Sequence, residues 1–268
     1  MSAKTRPLEP AHNLPSDLRR LLTLRWLLTT LLAIAAVIVM VRLGIWQLDR
    51  LAQRRAINAQ HLRVMSLPPL DLNQPHSPAD LAAAIYQDAT VSGVYDASGQ
   101  VLLRNQVWDD RPGYHLLTPL VMEGSGQAVL VDRGWIPMDQ AGPQQLAVLA
   151  ENGRVTVRGR LMPSQSENGL GIPTDPPLVD GQTRLDAWNR ISLERIRLQV
   201  RQPLLPVYLI AAPETTASGA LQRSLPEVDL SEGPHQGYAI QWFIFAAILA
   251  IGYPFYVRKQ LRFPASHA

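Results

Sequence analysis

The sequence predicts an α+β membrane protein, in which two transmembrane helices flank a mostly antiparallel β domain with a few short helices. A long apolar segment occurs near each end of the chain, and short β-type segments fill the region between them. The 268 residues, 47% of them hydrophobic, suffice for one ordinary domain with membrane segments in addition.

Composition excludes several function classes. The formal net charge is only +3 and the basic residues are spread along the chain, which argues against nucleic acid as a partner. The absence of cysteine excludes thiolate nucleophiles, cysteine-ligated zinc or copper, and disulfides. The domain must therefore be held together by core burial.

The first apolar segment is uncharged from Trp26 to Val41 and stays apolar beyond Arg42. It predicts a transmembrane helix over residues 22–48, with Arg25 and Arg42 near the two headgroup levels. A cleavable signal peptide is the alternative, but no small-x-small cleavage site follows the apolar run, and the N-terminus lacks transit-peptide composition.

The second apolar segment runs uncharged from residue 238 to 257 and is long enough to cross a hydrocarbon core of about 30 Å. Tyr238 and Trp242 mark one end, and Tyr253 and Tyr256 mark the other. Aromatic rings at both ends are typical of a membrane span, whereas a buried soluble helix has no such requirement.

The charges around the second span predict its orientation. Arg258, Lys259 and Arg262 follow it, while only His235 closely precedes it, so the C-terminus is expected in the cytoplasm. Two spans then place the central domain outside. The expected regions are a cytoplasmic tail (1–21), the first span (22–48), an extracytoplasmic domain (49–234), the second span (235–257) and a cytoplasmic tail (258–268).

The central region predicts strands more than helices. Residues 49–63 extend the first helix, a proline-containing linker follows, and Ser77 before Pro78 indicates a helix start. Helical spacing recurs in residues 78–87, 141–152 and 192–202. Short segments rich in branched and aromatic residues predict strands at 89–96, 100–108, 114–122, 127–137, 154–162 and 204–211.

Strong catalytic signatures are missing from the sequence. It contains no HExxH, GxSxG, P-loop or helix-opening GxGxxG pattern, so we expect no enzyme. Asp109 and Asp110 are adjacent and are expected in a turn. A tethered extracytoplasmic hydrolase remains an alternative, although it would need a convergent nucleophile and base.

The segment VLVDRGWIP permits two interpretations. It could be a partner-docking edge with Arg133 and Trp135 as anchors, or a strand end with Asp132 paired locally and Trp135 in the core. His115 is expected to be a satisfied or surface histidine.

His235 is a candidate metal ligand because of its position. Gly233 and Pro234 predict a helix start, so His235 lies in the first turn, where the helix dipole favours the neutral imidazole that can bind a metal. Tyr238 and Trp242 share its helix face, and a porphyrin entering from the bilayer would meet this face. The alternative is an interfacial histidine that contacts headgroups.

Taken in order, several motifs resemble the surfeit-locus family of cytochrome c oxidase assembly factors. They are LGIWQLDR, GVYD, GYHLLTPL, VLVDRGWIP, VRGRL and PHQGYAIQWF, between Leu43 and Arg258. No single motif is decisive, but their order between two flanking spans makes the combination specific.

The resemblance implies a non-catalytic factor that assists haem a delivery or stabilises oxidase subunit I during biogenesis. Its implied partners are subunit I, the haem a biosynthesis machinery and the bilayer. It implies His235 as the haem-iron ligand, with Tyr238 and Trp242 beside the haem. Trp46 and Gln47, together with Arg133 and Trp135, are the expected partner contacts.

Two departures from the family pattern occur. Relatives commonly carry Asn where this chain has Gly233, which removes any hydrogen bond from an Asn amide to the histidine. An aromatic residue and a Lys after the WQ pair are replaced by AQRRA. The expected location is a bacterial or archaeal plasma membrane, and a cofactor-free membrane scaffold is the alternative function.

Overall fold

The computed structural model describes residues 23–165, 174–177, 182, 184–213 and 221–262. The chain divides into two compact units, one comprising residues 1–58 and 230–268 and the other residues 59–229. The predicted tail 1–21 and the last six residues of the predicted tail 258–268 lie outside the described residues.

The described part of the chain contains five α-helices and eight strands. In order they are α1 (Leu24–Met65), β1 (Leu70–Asp71), α2 (Pro78–Ala83), β2 (Asp88–Tyr95), β3 (Val101–Trp108), β4 (Arg111–Met122), β5 (Ala128–Pro137), α3 (Pro143–Val148), β6 (Arg154–Pro163), β7 (Ala187–Trp188), α4 (Leu193–Ile196), β8 (Leu204–Ala211) and α5 (His235–Arg262). Two long apolar helices thus flank a β-rich region, as the sequence predicts.

Both long helices are long and apolar enough to cross a membrane. The predicted first span and its polar extension form one continuous helix of 42 residues, α1. Many of the large apolar side chains of α1 and α5 are exposed, among them Leu28, Leu31, Ile248 and Phe255. A helix of a soluble protein would bury such a face, so this exposure fits helices whose surroundings are lipid.

The two long helices pack against each other in antiparallel order. Near one end the Thr30 hydroxyl lies 2.7 Å from the Tyr253 hydroxyl, and farther along Gly44 packs against Phe243. A Cβ on Gly44 would lie only 2.7 Å from the Phe243 ring, so glycine is what permits this approach. Small residues at the contact are typical of membrane helix pairs, in which close backbone approach provides the attraction.

Within the unit of residues 59–229, five strands form a closed ring of hydrogen-bonded pairs. The ring order is β2, β6, β8, β5, β4 and back to β2, with β3 paired to the other part of β4. Most of these pairs are antiparallel, as expected, but β5 and β8 run parallel. The six predicted strands are confirmed, whereas the two-residue strands β1 and β7 were not predicted.

The strand β5 is buried along its whole length. Its two faces contribute to different core clusters, because Val129 and Val131 pack in one and Leu130 packs in another with Trp188 and Ile196. Its alternating side chains therefore have no solvent-facing side, and any polar group on it must find a partner inside.

Turn and cap residues behave as their chemistry predicts. Asp109 and Asp110 both have positive φ and form the two-residue hairpin turn between β3 and β4, as expected. The Ser77 side chain accepts a hydrogen bond from the Asp80 amide and completes a capping box at α2. The three short helices are confirmed, but each is shorter than its predicted segment.

The contact between Gly44 and Phe243 should make the stability of the helix pair sensitive to the size of the side chain at position 44. Gly44→Leu should drive the side chain into the Phe243 ring and destabilise the helix pair by about 1–3 kcal/mol, which is the usual cost of overpacking. Gly252→Leu is the matched control, since a Cβ there meets nothing within 4 Å. Thermal unfolding of the full chain in detergent measures both, and equal midpoints would contradict the packing account.

Candidate functional site

His235 begins α5, and its ring contacts α1. The His235 Nδ1 atom lies 2.8 Å from the Gln47 side-chain oxygen. An amide oxygen can only accept, so Nδ1 is the donor, and in the neutral form of the ring the lone pair is then on Nε2. Nε2 is therefore the ring nitrogen available to bind a metal.

Gly233 shapes the approach to this nitrogen. It has φ of +68°, a left-handed conformation that Gly adopts freely and that Asn tolerates better than most residues. A Cβ at this position would lie 3.6 Å from the His235 Nε2 atom. Glycine thus leaves the space beside Nε2 open, while Gln47 accepts a hydrogen bond from the other ring nitrogen.

The segment before α5 is bound to the polar part of α1. The Asn58 amide donates to the Leu230 carbonyl at 2.6 Å, and Arg55 donates two hydrogen bonds to the Glu232 carboxylate at 2.7 and 2.8 Å. The Arg55 hydrogen bond lowers the pKa of Glu232. Both charges are solvent-exposed, so this pair fixes geometry more than it adds stability.

Three other predicted site residues, Trp46, Tyr238 and Trp242, lie on the same two helices. Trp46 and Tyr238 are each 49% exposed, and the Arg50 guanidinium lies 5.6 Å from the Trp46 ring centre. Trp242 is half-buried and packs edge-to-face on Phe245. Of the site residues predicted on the two long helices, the structure joins Gln47 and His235 by a hydrogen bond. Sequence reasoning named both residues without predicting that they pair.

Arg133 and Trp135 are interior residues, only 1% and 3% exposed. The Arg133 guanidinium donates to the Leu149 carbonyl and to the Glu151 carboxylate, and it lies over the Tyr95 ring. Because β5 is buried along its whole length, these side chains favour the interpretation of a strand end packed in the core over that of a partner-docking edge.

The ring of Tyr95 lies under the Arg133 guanidinium, and the pKa of its hydroxyl is perturbed. Burial raises the pKa of Tyr95 to about 12 despite the nearby Arg133 charge, so its hydroxyl stays protonated at neutral pH.

His115 and Asp132 form a largely buried pair. The His115 Nδ1 atom lies 2.7 Å from one Asp132 carboxylate oxygen, and the other oxygen accepts the Gly134 amide proton. Burial alone lowers the pKa of His115, but the charge and hydrogen bond of Asp132 outweigh it and raise the pKa overall. His115 is thus a satisfied histidine, as expected, and Asp132 is paired locally.

Among the described residues, no nucleophile accompanies this pair. A histidine base needs a nucleophile on its other nitrogen, and among the described residues no hydroxyl is hydrogen-bonded to His115. A cavity of about 270 Å³ in the same unit has a mixed polar and apolar lining of other residues, including Asn73, His76 and Gln127. Within the described part of the chain, no group of three potential metal-ligating side chains occurs either.

The His115–Asp132 pair predicts a pH-dependent stability. Its raised folded-state pKa means that the stabilisation is complete below the ordinary histidine pKa of about 6.5, and is lost as pH rises through the higher folded-state value. Denaturant unfolding of the full chain between about pH 6 and about pH 9 should show this loss. His115→Gln should remove this contribution, whereas His76→Gln should retain it; identical profiles for all three proteins would contradict the pairing.

Comparison with known proteins places the chain in a family. The model of the SURF1 family matches residues 34–247. A SURF1-like protein of Monosiga brevicollis is 26% identical over 227 residues, covering 81% of this chain and 83% of the relative. A SURF1-like protein of Rickettsia bellii is 24% identical over 238 residues, covering 86% and 91%.

A further relative carries a functional name. The cytochrome oxidase assembly protein SHY1 of Saccharomyces cerevisiae is 25% identical over 101 residues, which cover 38% of this chain and 26% of the relative. The family match covers most of the chain and includes the first-helix residue Gln47 and the second-helix residue His235. The chain belongs to the SURF1 family.

Proposed function

We propose that this chain is a membrane-anchored factor for the assembly of cytochrome oxidase and that it acts without catalysing a reaction. The proposal is supported by membership of the SURF1 family and by similarity to a yeast protein named for cytochrome oxidase assembly. The two long apolar helices supply the anchor.

The proposed topology follows from charge. Arg258 and Lys259 at the end of α5 favour a cytoplasmic C-terminus, so the β domain would lie on the outer side of the membrane, with subunit I of the oxidase as its partner. His235 would then lie at the outer bilayer surface, where a porphyrin can be exchanged with other membrane components.

The observation that carries the haem a proposal is the hydrogen bond from His235 to Gln47. In the neutral ring this bond places the lone pair on Nε2, and Gly233 leaves space beside that atom, so the donor chemistry would suit a ligand of haem iron. A bound haem a would supply an iron centre that accepts a neutral imidazole nitrogen. Exposed aromatic rings of Tyr238 and Trp46, and the half-buried Trp242, are available near the same end of the helix pair.

Gln47 has a positioning role in this proposal. A ligating histidine generally donates its second ring N–H to a fixed acceptor, which sets the tautomer and raises ligand basicity, and removal of such an acceptor costs about 10–100-fold in affinity. Gln47 is that acceptor for His235. Only one protein ligand is proposed for the iron, which suits cargo that must be released.

Complementation of a strain that lacks this chain tests the proposal. Loss of the chain should lower the haem a absorbance and oxidase activity of membranes, and the wild-type gene should restore both. His235→Ala should restore neither. Gln47→Leu should restore them poorly, whereas Gln47→Glu keeps an acceptor for Nδ1 and should restore them.

His76→Ala is the matched control, because His76 lies in the β domain and bonds only to a local backbone carbonyl among the described residues. Immunoblots of the membranes verify equal amounts of each variant. Unchanged absorbance and activity in the deletion strain would remove the oxidase role. If deletion lowers both but His235→Ala restores them fully, the haem part fails and a cofactor-free scaffold explains the requirement.

A further inference from the structure

A deep apolar groove lies between the two long helices, at the end opposite to His235. Its volume is about 770 Å³. Val37 and Leu249 line one end of it and Arg258 the other, and nine residues of α5 at about 1.5 Å each separate Leu249 from Arg258. The groove is therefore about 13 Å long, close to half of a hydrocarbon core of about 30 Å.

The groove is polar at only one end. Most of its lining is aliphatic, whereas the hydroxyls of Thr30 and Tyr253 and the guanidinium of Arg258 lie toward the end of α5. Among the described residues of this lining, Arg258 is the charged one and none is acidic. Helical side chains generally tilt toward the start of their helix, and Arg258 is among the residues that line the groove.

This arrangement matches one ligand chemistry. An acyl chain fills an aliphatic groove one leaflet deep, and a phosphate at the same end as a guanidinium forms charge-assisted hydrogen bonds. Basic pockets between membrane helices on the cytoplasmic side are suited to anionic lipid headgroups. A zwitterionic lipid could fill the groove equally well, but its positive group weakens the attraction to Arg258.

We propose that the groove between α1 and α5 is a binding site for one anionic phospholipid, with its headgroup phosphate on Arg258 and an acyl chain between Val37 and Leu249. The proposal rests on insertion of both helices in the membrane and is independent of haem binding at His235. The lipid would fill the space that these helices leave open toward the cytoplasmic leaflet.

Native mass spectrometry of the full chain tests the site. The protein is purified in mild detergent with equal amounts of phosphatidylglycerol and phosphatidylcholine. One retained phosphatidylglycerol per chain is expected. Arg258→Gln should lower its retention about fivefold, which corresponds to loss of one basic contact with an anionic lipid. Lys259→Gln removes the same charge one residue away from the groove lining and should leave retention near the wild-type level.

A second pair of variants tests the groove itself. Val37→Trp should fill it and abolish retention, whereas Val39→Trp, at an exposed position outside the lining, should have no effect. Equal retention of the two lipids, or full retention in Arg258→Gln, would overturn the proposal.

The occupant in cells can be identified separately. A photoreactive amino acid at Val37 should yield a lipid adduct in native membranes. An adduct with a protein helix instead would show that the groove is a helix-docking surface and would overturn lipid binding there.

Discussion

The hydrogen bond between His235 and Gln47 is the contact on which the account of function depends. The two residues lie 188 positions apart, and they meet because α1 and α5 pack in antiparallel order. Gly44 permits this packing through its contact with Phe243, three helical turns or less from both residues of the pair. The apolar contact between Gly44 and Phe243 thus helps to position His235 so that Nδ1 bonds to Gln47 and Nε2 does not.

The β domain follows a different constraint. The strand β5 is buried on both faces, and its charged residues Asp132 and Arg133 are paired with His115 and Glu151 inside the domain. A buried charge without its partner destabilises the folded state strongly, so both members of each pair are needed for folding. Their residue types resemble those of catalytic or docking sites, but their burial gives them a structural role.

Local sequence patterns predicted most of the architecture. Both long helices, six strands and the turn at Asp109 and Asp110 follow from short-range periodicity and turn chemistry. Three features did not follow: the ring closure between β2 and β4, the parallel pairing of β5 with β8, and the short strands β1 and β7. Each depends on contacts between distant segments, which periodicity cannot specify.

Only part of the site could be predicted from the sequence, because the rest also depends on contacts between distant segments. The position of His235 at a helix start follows from Gly233 and Pro234, which are adjacent to it. Its pairing with Gln47 could have been found by aligning the two apolar segments in antiparallel order. The burial of Arg133 and Trp135 required knowing that β5 is central, which a single strand pattern does not reveal.

The tautomer of His235 tests the central claim most directly. Nitrogen-15 NMR of histidine-labelled full chain in lipid, assigned by comparison with a His235→Ala sample, distinguishes the two ring nitrogens. In the neutral ring we expect the proton on Nδ1 and an unprotonated Nε2, and a shift toward the other tautomer in Gln47→Leu. A proton on Nε2 in the wild-type chain, unaffected by Gln47→Leu, would contradict it.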